Sequence, residues 1–102
     1  MKCLTLYLHA QVADDALDCL RSQPAITGFT LSRCEGHSLS SEQDWSQGTL
    51  DQVVGYVPRV RIEILLEAEQ VQPLLASLRG CLQGGRSHGV WSLASLDDTG
   101  RL

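Results

Sequence analysis

An α+β fold of the ferredoxin-like kind, βαββαβ with an antiparallel sheet and two helices on one face, follows from three observations. Two long stretches, Lys2–His9 and 56–66, the second from Val60 onward, alternate with period two, the mark of half-buried strands. Two others, 12–22 and 69–82, carry apolar residues at helical spacing. A shorter strand-like run follows each helix, which completes the order of elements.

The first strand turns Leu4, Leu6 and Leu8 to one face and Thr5, Tyr7 and His9 to the other. Residues 12–22 place Ala13, Ala16, Leu17 and Leu20 on one stripe. Asp14 and Asp15 lie in the first turn, where they favour the positive end of the helix dipole. Pro24 turns Gln23 away from the helical region and ends that helix. Thr27-Gly28 leads into a second strand over 29–34. The third strand sets Val60, Ile62, Ile64 and Leu66 against Arg59, Arg61, Glu63 and Leu65 on its opposite face. In the second helix Val71, Leu74, Leu75, Leu78 and Cys81 share a stripe, and Pro73 requires the helix to begin close by. Gln83-Gly84-Gly85 closes it, 90–93 forms a short fourth strand, and 97–102 is a polar tail.

At this size 1–102 is a single domain. Nothing remains to cover the sheet face bearing Thr5, Tyr7, Arg61, Glu63 and Leu65, so association of identical copies is expected. The net charge of −4 and the scattered basic residues speak against nucleic acid as a partner. No apolar run reaches the length of a membrane span, and the first residues alternate instead of forming a signal-peptide core. The expectation is a soluble, cytoplasmic protein. Cys3, Cys19, Cys34 and Cys81 are spread singly, with no Cys-x-x-Cys pair, and are expected as reduced thiols. Cys19 and Cys81 fit small apolar core positions. There is no Ser-His-acid or Walker arrangement, so catalysis is not expected.

The stretch 35–55 has no structural period, and a compact domain keeps so long a loop for function or as a disordered segment. Three segments around it carry a resemblance. Ile26-Thr27-Gly28-Phe29-Thr30-Leu31 is similar to "ITGMTV", and Gly36 opens the long loop. Val57-Pro58-Arg59-Val60-Arg61-Ile62-Glu63-Ile64 is close to "LPKVKIEIVV". Together they resemble the superfamily of the nitrogen regulatory protein PII, with 35–55 in the place of its T-loop and 83–89 in that of its B-loop.

That resemblance implies a homotrimer whose inter-subunit clefts bind an adenine nucleotide, ATP, ADP or AMP, and whose long loop regulates a membrane transporter or an enzyme. The B-loop pattern "TGKIGDGKI" is only partly kept in Gln83-Gly84-Gly85-Arg86-Ser87-His88-Gly89-Val90: both lysines are lost, to Gly85 and Val90. The tyrosine of the uridylylation switch is absent between His37 and Gly55.

The residues divide between functional and ordinary readings. Arg59 matches the lysine that PII proteins use toward the carboxylate of 2-oxoglutarate; an arginine there clamps a carboxylate or bicarbonate, or is a solvated strand-end charge. Gly84, Gly85 and Gly89 let backbone approach an anion, or serve an ordinary turn with Gly84 as the helix cap. Arg86 offers a guanidinium for phosphate. Gly36, His37 and His88 fall in the two loops that would meet across a cleft. With Cys34, His37 and His88 also suggest a soft site for Zn or Cu, and hence the alternative of a metal-tolerance role like that of the CutA family. Trp45, a lone aromatic in a polar loop, is a candidate anchor for a partner protein, or else tucks onto its own subunit.

Overall fold

The computed structural model describes residues 1–37, 56–82 and 89–102. Strand β1 (Lys2–His9) passes through a single 3-10 turn, Ala10–Val12, into helix α1 (Ala13–Arg21). Strands β2 (Thr30–Gly36) and β3 (Val57–Leu66), helix α2 (Ala68–Cys81) and strand β4 (Gly89–Ser95) follow. The strands form one antiparallel sheet in the order β2-β3-β1-β4. This α+β architecture of four strands and two helices is compatible with a ferredoxin-like fold.

The two cleanest alternations in the sequence are the two central strands. Leu4, Leu6 and Leu8 stand opposite Ile64, Ile62 and Val60, and all are buried. They pack with Ala16, Cys19 and Leu20 of α1 and with Val71, Leu74, Leu75 and Leu78 of α2. Each fully buried aliphatic side chain of this kind contributes about 1.5–3 kcal/mol. A capping box starts α2, with the Glu67 N–H donating to Gln70 Oε1 at 2.9 Å. Pro73 lies within α2, where its ring removes one hydrogen bond without ending the helix.

Both edge strands are longer than sequence periodicity suggested. Glu35 and Gly36, assigned above to the long loop, belong to β2 and pair with Pro58 and Val57. Gly89, assigned to the Gly-rich turn, opens β4 opposite Leu8, and that strand continues to Ser95. An edge strand is held by its backbone ladder to one neighbour, so polar residues can prolong it without any alternation.

Two side chains also depart from expectation. His9 shares the outer face by strand parity, yet it is buried because its ring caps the 3-10 turn, Nδ1 accepting from the Gln11 N–H at 3.1 Å. Cys81 is exposed instead of lying in the core.

The sheet face turned from the helices carries Cys3, Thr5 and Tyr7 of β1, Arg61, Glu63 and Leu65 of β3, and Val90 and Ser92 of β4. Arg61 and Glu63 form an ion pair at 3.4 Å, while Leu65 and Val90 remain 45% and 53% exposed. On the opposite face of β4, Trp91 and Leu93 stand beside Leu6 and Leu4 and are still 44% and 41% exposed. Large apolar side chains on both faces of one edge strand are unusual for an isolated chain.

Candidate functional site

Antiparallel pairing gathers one end of every strand into the same place. The C-terminal ends of β1 and β2 and the N-terminal ends of β3 and β4 lie together at one edge of the sheet. Segment 38–55 therefore leaves and returns at that edge, between His37 and Tyr56, and segment 83–88 enters it at Gly89. The register lines up Cys34, Arg59 and His9 across β2, β3 and β1 at the same edge.

Arg59 is the charged centre of this row. Its side chain is half-buried, and its Nη1 is sealed from solvent. The side chain lies across the backbone of β2 at Gly36. A Cβ added to Gly36 would overlap Arg59 Nε and stand 2.6 Å from its Cδ. Glycine at 36 is thus explained by the path of the arginine, because any side chain there would displace the guanidinium. A planar group with five donors in a fixed fork suits a carboxylate, bicarbonate or phosphate better than a diffuse point charge would.

Aromatic and ring-nitrogen groups lie at the same end of the sheet. His37 Nε2 meets Glu35 Oε1 at 3.0 Å, and its ring is tilted against Tyr56 with centroids 5.8 Å apart. His9, whose Nδ1 is occupied by the Gln11 amide, is the buried neighbour of Arg59 in the register. Sequence reasoning missed His9, since strand parity alone turned it to the outer face. Residue spacing offered no signal for the Glu35–His37 pair beyond an acid two positions before a histidine.

Of the residues singled out above, the structure brings Cys34, Gly36, His37, Arg59 and Gly89 to one end of the sheet. Trp45, Gly84, Gly85, Arg86 and His88 lie outside the described residues. Gly89 has a structural reason to be glycine, because a Cβ there would overlap the Tyr7 carbonyl oxygen and stand 2.9 Å from Leu8 Cδ2. Among the described residues no group of three or more His, Cys, Asp or Glu side chains could hold a metal ion. Among them, too, no helix is long and apolar enough to cross a membrane.

Comparison with known proteins places this architecture. The family model described as "Protein of unknown function (DUF3240)" matches residues 1–102. The chain belongs to the DUF3240 family. A crystal structure of a DUF3240 family protein from Shewanella baltica OS155, at 2.40 Å resolution, is similar in fold, with a TM-score of 0.77 and 22% sequence identity. That likeness covers 99% of this chain and 94% of the other. No curated protein matches the chain.

A second cluster of this DUF3240 chain lies between its helices. Cys19, on the inner stripe of α1, donates its S–H to the Ser77 carbonyl at 3.7 Å, and Cys81, the last residue of α2, reaches it at an Sγ–Sγ distance of 2.7 Å. Burial pushes the Cys19 thiol up to about 11 from the ordinary 9.0, reinforced by the hydrogen bond from Cys81 and by the charge that group acquires. A small pocket of about 140 Å³ opens at the other end of the sheet, between Ile26, Leu66, Pro73 and Leu74. Gln23, Glu69 and Gln70 also line it.

Proposed function

We propose that this DUF3240 protein is a non-catalytic, cytoplasmic sensor of the PII-like kind. Identical subunits, three in the expected assembly, associate through the uncovered sheet face and leave clefts at their seams. A small anionic effector, an adenine nucleotide or a similar anion, binds at the sheet edge by Arg59, and segment 38–55 passes the signal to a partner such as a transporter. The observation that carries this reading is the guanidinium laid over Gly36 at the one edge where segments 38–55 and 83–88 are both anchored. The run Val57-Pro58-Arg59-Val60-Arg61-Ile62-Glu63-Ile64 supports the PII-like assignment, and the exposure of Leu65 and Val90 supports burial against further copies. An effector that favours one loop state by a few kcal/mol is enough to shift its population.

Titration calorimetry with ATP, ADP, AMP, bicarbonate, Zn²⁺ and Cu²⁺ tests the effector. One of the anions is expected to bind, and Arg59→Ala to weaken it about 10–100-fold, the loss of a charge-assisted hydrogen-bond pair. Silence toward every anion removes the sensor reading. Heat from a metal alone, lost in His37→Ala, would transfer support to the metal-tolerance alternative built on Cys34, His37 and His88. Sedimentation equilibrium tests the assembly. The parent chain is expected as a trimer and Leu65→Asp as a monomer, because three carboxylates cannot be buried together in an apolar seam. A monomeric parent leaves no cleft for an effector to occupy.

A further inference from the structure

We propose that Cys19 and Cys81 form a reversible two-thiol redox site that closes to a disulfide between α1 and α2. The two Sγ atoms are 2.7 Å apart, closer than unbonded sulfurs pack and beyond the covalent length of about 2.05 Å. They come from different helices, 62 positions apart in sequence, so this approach is not a product of local geometry. A shared zinc ion would hold two thiolates farther apart, about 3.8 Å for two 2.3 Å bonds at a tetrahedral angle. The spacing is shorter than a metal bridge imposes and leaves the two free thiols a small movement away from a bond.

Exposure divides the work between the two thiols. Cys81 is exposed and is the group an oxidant reaches, whereas Cys19 is buried behind it. With a low-molecular-weight disulfide as oxidant, the Cys81 thiolate attacks one sulfur and releases one small thiol, forming a mixed disulfide. Cys19 then gives its proton to solvent and attacks Cys81 Sγ, displacing the second small thiol. Two electrons pass from the protein pair to the small disulfide, and two small thiols leave. Attack by Cys19 needs its thiolate, and burial holds that thiol above its ordinary range, so closure is faster at higher pH. Closure fixes the last turn of α2 against α1, at the point where the chain leaves toward segment 83–88.

The test uses the full reduced chain, incubated with oxidised glutathione and mapped by peptide mass spectrometry. Free thiols are expected to fall from the four of the sequence to two, with a linked Cys19–Cys81 peptide that dithiothreitol releases. A chain carrying Cys3→Ser and Cys34→Ser keeps both helices untouched and is expected to end with no free thiol and the same linked peptide. Cys19→Ser is expected to stop at one glutathione on Cys81. The proposal is overturned if the double variant retains both thiols, or accumulates glutathione on Cys81 without closing the bridge.

Discussion

Ile62→Ala is expected to lower the free energy of unfolding in urea by about 2–5 kcal/mol, against a total of about 5–15 kcal/mol for a domain of this kind. Ile62 stands between Leu6 on β1 and Leu31 on β2, fully enclosed in the central layer of the sheet. Its truncation removes apolar contact and leaves a cavity that rigid strands on both sides cannot close. Leu65, three positions along the same strand, provides the comparison. It points to the other face and is half-exposed, so Leu65→Ala costs an isolated chain about 0.5 kcal/mol or less. Subunits that meet through this face would raise that second cost well above the surface value and make it depend on protein concentration. The pair of variants thus measures the core with one residue and the assembly with the other. Equal, small losses from both would contradict the packing of β3 described above.

Gly89→Val is the other large effect, about 1–3 kcal/mol of stability lost with no ligand present. The new Cβ would occupy the space of the Tyr7 carbonyl oxygen, and a backbone atom cannot step aside without opening the β1–β4 ladder at its first pair. Gly36 provides a contrast. A Cβ there meets a side chain, Arg59, which can swing at smaller cost to the fold but carries the guanidinium away with it. Lost anion binding in a Gly89 variant therefore reports a displaced strand, whereas the same loss in Gly36→Ala reports a displaced arginine. Chemical unfolding of both variants, run beside the calorimetry, separates the two causes. A Gly89→Val chain as stable as its parent would falsify the close approach of β4 to β1.

The central strands and both helices were legible because their partners impose a period. Val60, Ile62, Ile64 and Leu66 had to alternate, since one face of β3 lies under two helices and the other does not. The edge strands were less legible. Glu35, Gly36 and Gly89 show no alternation, and only pairing across the sheet made them strand residues. Arg59 could be named in advance as a candidate, but its path over Gly36 could not, because that contact joins residues on different strands. Cys19 and Cys81 were both expected in the core, and Cys81 is exposed instead; their approach to one another depends on how the helices cross.

Composition and periodicity by themselves determined the element order and the apolar face of each central strand. They could do so because each is set by the local chain, through side-chain direction and backbone preference. Tertiary structure alone decided three things: that segments 38–55 and 83–88 are anchored at one edge beside Arg59, that Gly89 serves a tight strand approach, and that two distant thiols meet between the helices. Those depend on register and helix packing, which bring together residues whose separation along the chain carries no record of their distance in space.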